Sequence, residues 1–328
     1  MKLNLFTFTF LFSLINMPAS ALADDFYYGV GVLPDRTSLS SGDLLGLMQK
    51  YKVSSFRVDY AWSRVEAQKN IYEITDKRLD NLIKNSSKLH IEPLLILDYG
   101  NKNYGGGRPV NTEAVNAYAN YSSWVVRKYK GNVHLYEIWN EWWHARPGDN
   151  YPALSESSAK DYFNLVKVTA KKIKDNDPQA VIIVGSFNPF KNNQLSWAES
   201  LIKLGVLDYA DGLSIHPYSQ DAPEIDFSKL DDFHNAMIKL SGKKEVELYI
   251  TEVGYSDYRG SKLNDLQIEN YIPRYFKLAK ERSYIKGVWW YSLIDAGYDK
   301  NNREHNFGLL DKSLKLKSSM SGFVETVR

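Results

Sequence analysis

The chain has 328 residues, 44% of them hydrophobic, with 41 Lys and Arg against 39 Asp and Glu, a formal net charge of +2, and no cysteine. That length and apolar content suffice for one large domain, and the balanced charge, with no basic stripe, argues against nucleic acid as a partner. Without cysteine there is no disulfide, no thiolate metal site and no thiol nucleophile.

The first predicted element stands apart from the rest. Lys2 precedes an apolar run from Leu3 to Met17, followed by Ala21-Leu22-Ala23. This pattern predicts a secretory signal over residues 1–23, because the run is shorter than the roughly 20 apolar residues a spanning helix needs. The expected mature protein begins near Asp24, is exported to the periplasm or beyond, has no stable membrane insertion, and forms one domain over residues 24–328. Nothing in the sequence demands a second subunit, so a monomer is expected.

From there, short β-branched or aromatic runs alternate with longer amphipathic stretches. Strands are predicted at Tyr27–Val32, Val53–Val58, Glu92–Leu97, Val133–Trp139, Ala180–Gly185, Gly212–Ile215, Glu247–Thr251 and Gly287–Tyr291. Helices fit between them, for example at Thr112–Lys130, Ser157–Asp175 and Asn264–Arg282. Strict alternation of β and α reads as a parallel sheet, and eight strands close a single (β/α)8 TIM barrel of the α/β class. The rival fold, a doubly wound open sheet, places a phosphate-binding glycine turn after its first strand, and Gly31-Val32-Leu33-Pro34-Asp35 lacks that fingerprint. The cluster Gly105-Gly106-Gly107 reads as a surface loop over the C-terminal face of the barrel, since no Gly-Lys-Ser/Thr follows.

The fourth strand carries His134-Leu-Tyr-Glu-Ile-Trp-Asn-Glu-Trp-Trp143. Period-two alternation puts Glu137, Trp139 and Glu141 on one face, with Glu137 lower in the barrel and Glu141 opening onto the C-terminal mouth. A carboxylate as low as Glu137 needs a cation, and Arg57, at the end of the second strand, is available. The seventh strand repeats the pattern, ending in Glu252 and then Gly254. Two carboxylates facing each other across a barrel mouth suit double-displacement glycoside hydrolysis, in which one attacks the anomeric carbon and the other protonates the leaving oxygen. Indoles beside Glu141 would desolvate it and favour its neutral form, while Arg57, Asn140 and a tyrosine would hold Glu252 ionised. Aromatic residues at strand exits, Trp62, Tyr99, Trp142, Trp143, Tyr218, Tyr255 and Trp290, offer faces on which sugars stack. The six histidines form no metal-binding spacing, so no metal or other cofactor is expected. The doublet Asp231-Asp232 lies in a helical stretch, and the basic segment Asp311–Lys317 reads as the solvated start of the last helix.

The chain resembles the glycoside hydrolases of clan A, and within them the family 39 branch and its exopolysaccharide-degrading relatives. The resemblance runs through Phe56–Trp62, Ile71-Tyr72, Leu97–Asn101, Glu137–Glu141, Ser214–Tyr218, Ile250–Glu252 and Trp289–Ser292. It implies Glu141 as acid/base, Glu252 as nucleophile and Asn140 as the partner of the sugar 2-hydroxyl. It also implies Arg57, His216 and Tyr218 as supports on the nucleophile side, and Trp290 as the platform under the sugar. Relatives usually have proline after the acid/base, whereas Trp142 stands here. The function so expected is an endo-acting, retaining β-glycosidase of an extracellular oligo- or polysaccharide. An exo-acting β-xylosidase-like enzyme, a transglycosylase and a barrel that binds polysaccharide without cutting it are the alternatives.

Overall fold

A computed structural model describes residues 26–144 and 150–327; the predicted signal segment lies outside the described residues. Eight parallel strands form a closed barrel, each joined to its sequence neighbours and the eighth to the first. They are β1 (Tyr27–Gly31), β2 (Ser55–Ala61), β3 (Glu92–Asp98), β4 (Leu135–Ile138), β5 (Val181–Phe187), β6 (Gly212–Ile215), β7 (Glu247–Val253) and β8 (Ile285–Trp290). The helices are α1 (Ser41–Lys50), α2 (Trp62–Val65), α3 (Lys77–Ser86), α4 (Thr112–Tyr129), α5 (Glu156–Asn176), α6 (Asn192–Lys203), α7 (Pro223–Ser241), α8 (Asp265–Lys280) and α9 (Ser318–Thr326). Every strand is followed by a helix, as the alternation in the sequence requires; the single-turn α2 is an extra element between β2 and α3.

The helices begin where the sequence supplies a side-chain acceptor for the first free N–H groups. Ser40 with Asp43 and Asn264 with Gln267 form capping boxes at α1 and α8, and Asp76, Asn111 and Ser155 cap α3, α4 and α5. Gly242, at φ 68°, ends α7 in the left-handed conformation glycine tolerates.

The barrel interior is layered. Its lower part is apolar, filled by Leu94, Ile96, Leu135, Ile183, Tyr249 and Trp289. The Trp289 indole lies so close to β1 that a Cβ on Gly29 would come within 2.3 Å of it, and its Nε1 donates to Ser55 Oγ at 2.9 Å. The adjacent Trp290 points the other way, into the layer between strands and helices, beside Tyr255 and Phe276.

The segment Asp311–Lys317 differs from expectation. It is a turn ahead of α9, closed by the Asp311 N–H to the Lys315 carbonyl at 2.9 Å. Lys317 is drawn inward because the buried Asp295, 2% exposed, needs a cation: Lys317 Nζ lies 2.8 Å from Asp295 and 3.0 Å from Asp257. Asp231 does lie in a helix, α7, where it is held by Arg282 at 2.7 Å.

Candidate active site

β4 ends at Ile138 because the chain then takes left-handed turns, with φ 64° at Trp139 and 45° at Glu141. Such values are uncommon for residues bearing a side chain and persist only where surrounding contacts hold them. Here the Glu141 N–H donates to Ser186 Oγ at 2.8 Å, and Trp143 Nε1 donates to the Ser186 carbonyl at 2.8 Å. The turn breaks the predicted alternation at Trp139, which leaves the inner face to pack on Tyr118 and Trp142. Glu137 stays inside the barrel.

Arg57, on the inner face of β2, organises the upper layer. Its Nε donates to Glu137 at 2.7 Å, Nη1 to Glu252 at 2.5 Å and Nη2 to Asn140 Oδ1 at 2.8 Å. Asn140 Nδ2 in turn donates to Tyr99 Oη at 2.8 Å. The other Glu252 oxygen accepts from Tyr218 Oη at 2.9 Å. Ser214 Oγ donates to Glu137 at 2.5 Å and lies 2.6 Å from Thr251 Oγ1, which is 3.0 Å from His216 Nε2. His216 Nδ1 lies 3.0 Å from Glu141 and 3.8 Å from Glu252, so this histidine sits between the two carboxylates and nearer the first. One continuous polar chain thus links the ends of β2, β4, β6 and β7.

Opposite charges within it stabilise one another. Burial works against the Arg57 cation, but Glu137 and Glu252 outweigh it and raise its pKa. For Glu252, burial opposes ionisation, yet His216 and Arg57 beside it, with the hydrogen bonds from Arg57 and Tyr218, hold its carboxyl below the ordinary value. Tyr218 is pushed up, first by burial and then by the Glu252 charge, so its phenol remains a donor.

Glu141 and Glu252 open into a cleft of about 760 Å³ that also takes in Trp143, Asn188, Lys191, Arg303 and Tyr291. Across Tyr291 lies a second cavity of about 660 Å³, walled by Asp59, Asp98, Tyr99 and Arg64. Tyr291 and Glu304 line both, so the two form one groove across the C-terminal mouth of the barrel.

The structure therefore gathers Arg57, Asn140, Glu141, His216, Tyr218 and Glu252 at one point, with Tyr99 and Trp143 on the groove walls. Four predicted sugar platforms are corrected. Trp142, 0% exposed, donates from its indole to Ser158 at 3.0 Å, and Trp290, also 0% exposed, lies behind β8 with Tyr255. Trp62 stacks on Tyr104 and donates to Glu66 at 2.6 Å. All four rings are buried in packing, out of reach of a sugar. The sequence reading missed Tyr291, Glu304, Asp59, Asp98 and Ser186. It also left Arg108 in the glycine loop unassigned; that side chain donates to the carbonyls of Trp142 and His144 at 2.8 and 2.6 Å, which ties the loop to the segment bearing Glu141.

Among the described residues, one group could also hold a metal ion: Glu141, His216 and Glu252, whose ligand atoms all lie within 4.8 Å of one another.

A closed (β/α)8 barrel with two carboxylates at the ends of β4 and β7 is the architecture of a retaining O-glycosyl hydrolase of clan A. The sequence profile of the family described as Cellulase (glycosyl hydrolase family 5) matches residues 35–294, and the chain belongs to that family. The expected likeness to family 39 has a structural counterpart. A family 39 glycoside hydrolase from the gut symbiont Bacteroides cellulosilyticus WH2 is 25% identical, with a TM-score of 0.75 over 93% of this chain. This chain spans 64% of that solved chain. Xylanase 10B from Thermotoga maritima is 15% identical, with a TM-score of 0.70 over 93% of this chain and 95% of its own. A GH5_18 enzyme from Streptomyces cattleya, solved with Manβ1-4GlcNAc, is 10% identical, with a TM-score of 0.73 over 92% of this chain and 80% of its own. The last two share the fold. No curated protein sequence matches the chain. No helix among the described residues is long and apolar enough to cross a membrane.

Proposed function

We propose that the chain is an exported, endo-acting β-glycosidase that cuts an exopolysaccharide or other extracellular polysaccharide, with Glu252 as nucleophile and Glu141 as acid/base. The observation that carries this reading is the approach of the two side chains, whose nearest oxygens lie within 4.8 Å. Carboxyl groups about 5–5.5 Å apart suit direct attack on the anomeric carbon, whereas inverting enzymes leave about 6.5–9.5 Å for a water. Glu252 is held ionised and oriented through both oxygens by Arg57 and Tyr218, as a nucleophile requires. In the first step its carboxylate forms a bond to the anomeric carbon while the Glu141 carboxyl gives its proton to the departing glycosidic oxygen. In the second step Glu141, now ionised, takes a proton from water as that water displaces Glu252. His216 lies 3.0 Å from Glu141 through Nδ1 and 3.0 Å from Thr251 Oγ1 through Nε2, and so holds the acid/base in position through both steps.

Endo action is supported by the groove, which continues past the carboxylates on both sides instead of ending in a blind pocket. Export is supported by the apolar run Leu3–Met17 and Ala21-Leu22-Ala23.

The test is turnover on a panel of purified polysaccharides, with the first anomer released followed by proton NMR. A product that keeps the configuration of the cleaved bond, falling in yield by at least about 10⁴-fold in Glu252→Gln, is expected. An inverted first product, or a Glu252→Gln enzyme with undiminished turnover, overturns the assignment. Release of mid-sized fragments from the polymer sustains endo action; monosaccharide alone refutes it.

A further inference from the structure

β5 supplies neither carboxylate, yet its exit touches both sides of the site. Gly185 takes a φ of 122°, where a Cβ would come within 2.9 Å of the Ser214 carbonyl, and the register against β6 jumps from Gly185 to Phe187. Ser186 is the extra residue of this bulge. A bulge beside an active site re-aims the groups that follow it. Ser186 thereby accepts from the Glu141 N–H at 2.8 Å, the Phe187 carbonyl accepts from the His216 N–H at 2.7 Å, and Asn188 turns to the segment after β6.

Asn188 is 7% exposed, and its polar groups are all engaged. Its Oδ1 accepts from the Phe190 N–H at 2.9 Å, and its own N–H donates to Gln194 Oε1 on α6 at 2.6 Å. The amide so fixed donates from Nδ2 to the Tyr218 carbonyl at 3.0 Å. Tyr218 in turn donates from its phenol to Glu252 at 2.9 Å. It stands on an irregular segment between β6 and α7, without the ladder bonds that fix a strand residue, so its hydroxyl is only as well placed as the anchors of that segment. On the far side the next residue, Ser219, donates to Asp226 on α7 at 2.5 Å.

We propose that Asn188 is a positioning residue for the nucleophile: it fixes the Tyr218 backbone so that the phenol meets Glu252, and does not itself touch the reacting atoms. This deepens the reading above and rests on it for the role of Glu252. Asn188 lies along the cleft wall, but both ends of its side-chain amide are spent on backbone groups, which sets it apart from a sugar-binding residue.

The test uses the free enzyme and needs no substrate. The Glu252 carboxyl is followed by carbon-13 NMR, its resonance identified by its loss in Glu252→Gln, from neutral pH down to the lowest pH at which melting curves show folded protein. Asn188→Ser keeps an acceptor for the Phe190 N–H but is too short to reach the Tyr218 carbonyl. Its Glu252 midpoint is expected to rise by at least about 0.5 pH unit, as in Tyr218→Phe, and the double variant to rise no further than Tyr218→Phe alone. Because wild-type Glu252 lies below its ordinary 4.5, such a rise moves the midpoint toward the accessible range. A midpoint that stays or falls in either single variant, or increments that add in the double variant, overturns the proposal. If Asn188→Ser does not fold, Gln194→Met, which removes only the acceptor on α6, takes its place with the same outcomes. Failure of the catalytic reading is seen separately, as undiminished turnover in Glu252→Gln, and does not alter this titration.

Discussion

The two carboxylate pairs of the groove, Glu141 with Glu252 at β4 and β7 and Asp59 with Asp98 at β2 and β3, are treated in opposite ways. Around the first, Arg57, His216, Tyr218 and Thr251 answer the charge. Around the second, burial dominates: Asp59 and Asp98 hydrogen-bond to each other and feel the Arg57 charge, and no other side chain among the described residues bonds Asp98. A low-dielectric site that compensates an anion sets its ionisation in advance, which is what covalent attack needs; one that buries two carboxyls against each other favours a proton between them.

That contrast can be broken from its compensated side first. Arg57→Ala removes the cation shared by Glu137 and Glu252 and is expected to cost about 3–5 kcal/mol of stability, read by denaturant unfolding, with activity lost at least about 10³-fold. A fully stable Arg57→Ala protein would mean that the carboxylates are neutral in the native state and the balance described here is wrong. Asp98→Asn goes the other way. Because its pKa is raised on folding, the stabilising protonated form is fully kept below the unfolded value of 3.8 and lost as pH rises through the folded value. Asp98→Asn should therefore melt higher than wild type at pH 7, by about 1–2 kcal/mol, with the gain vanishing below pH 3.8.

The pH profile sharpens the same comparison. Glu252 titrates below its ordinary 4.5, so the acid limb of kcat/KM, where the nucleophile must ionise, is expected below pH 4.5. An acid limb well above that value would show that the support from Arg57 and Tyr218 is lost in solution. The smallest effect expected is inhibition. Millimolar Zn²⁺, taken up by Glu141, His216 and Glu252, should lower activity several-fold, while a chelator leaves the untreated enzyme unchanged.

Much of this was legible in the sequence because strand-end carboxylates are conspicuous against apolar runs. Glu252 and the Arg57–Glu137 pairing needed only strand order and period-two alternation, Glu141 only its place just past the end of a strand, and the barrel follows from eight β/α repeats. Aromatic residues defeated the same logic. Trp289 and Trp290 are equally apolar neighbours, and only their facing on β8 sends one into the barrel and the other behind it. At Trp139 a left-handed turn cancels the alternation, a change no residue there announces. Asp59 and Asp98 become neighbours only through the β2–β3 register, and Tyr291 and Glu304 reach the groove from the end of β8 and the long segment after it.

The ion pairs of Lys317 have a further bearing on how such a groove can change. One ammonium spans Asp257, beyond β7, and Asp295, beyond β8, and these two segments supply Tyr258, Lys262, Arg303 and Glu304 to the cleft. This part of the rim is consequently fastened as one plate, and an insertion in either segment would shift the lining contributed by both. The opposite wall, where Lys191 follows β5, has no share in that fastening and is the freer place to graft a new sugar preference.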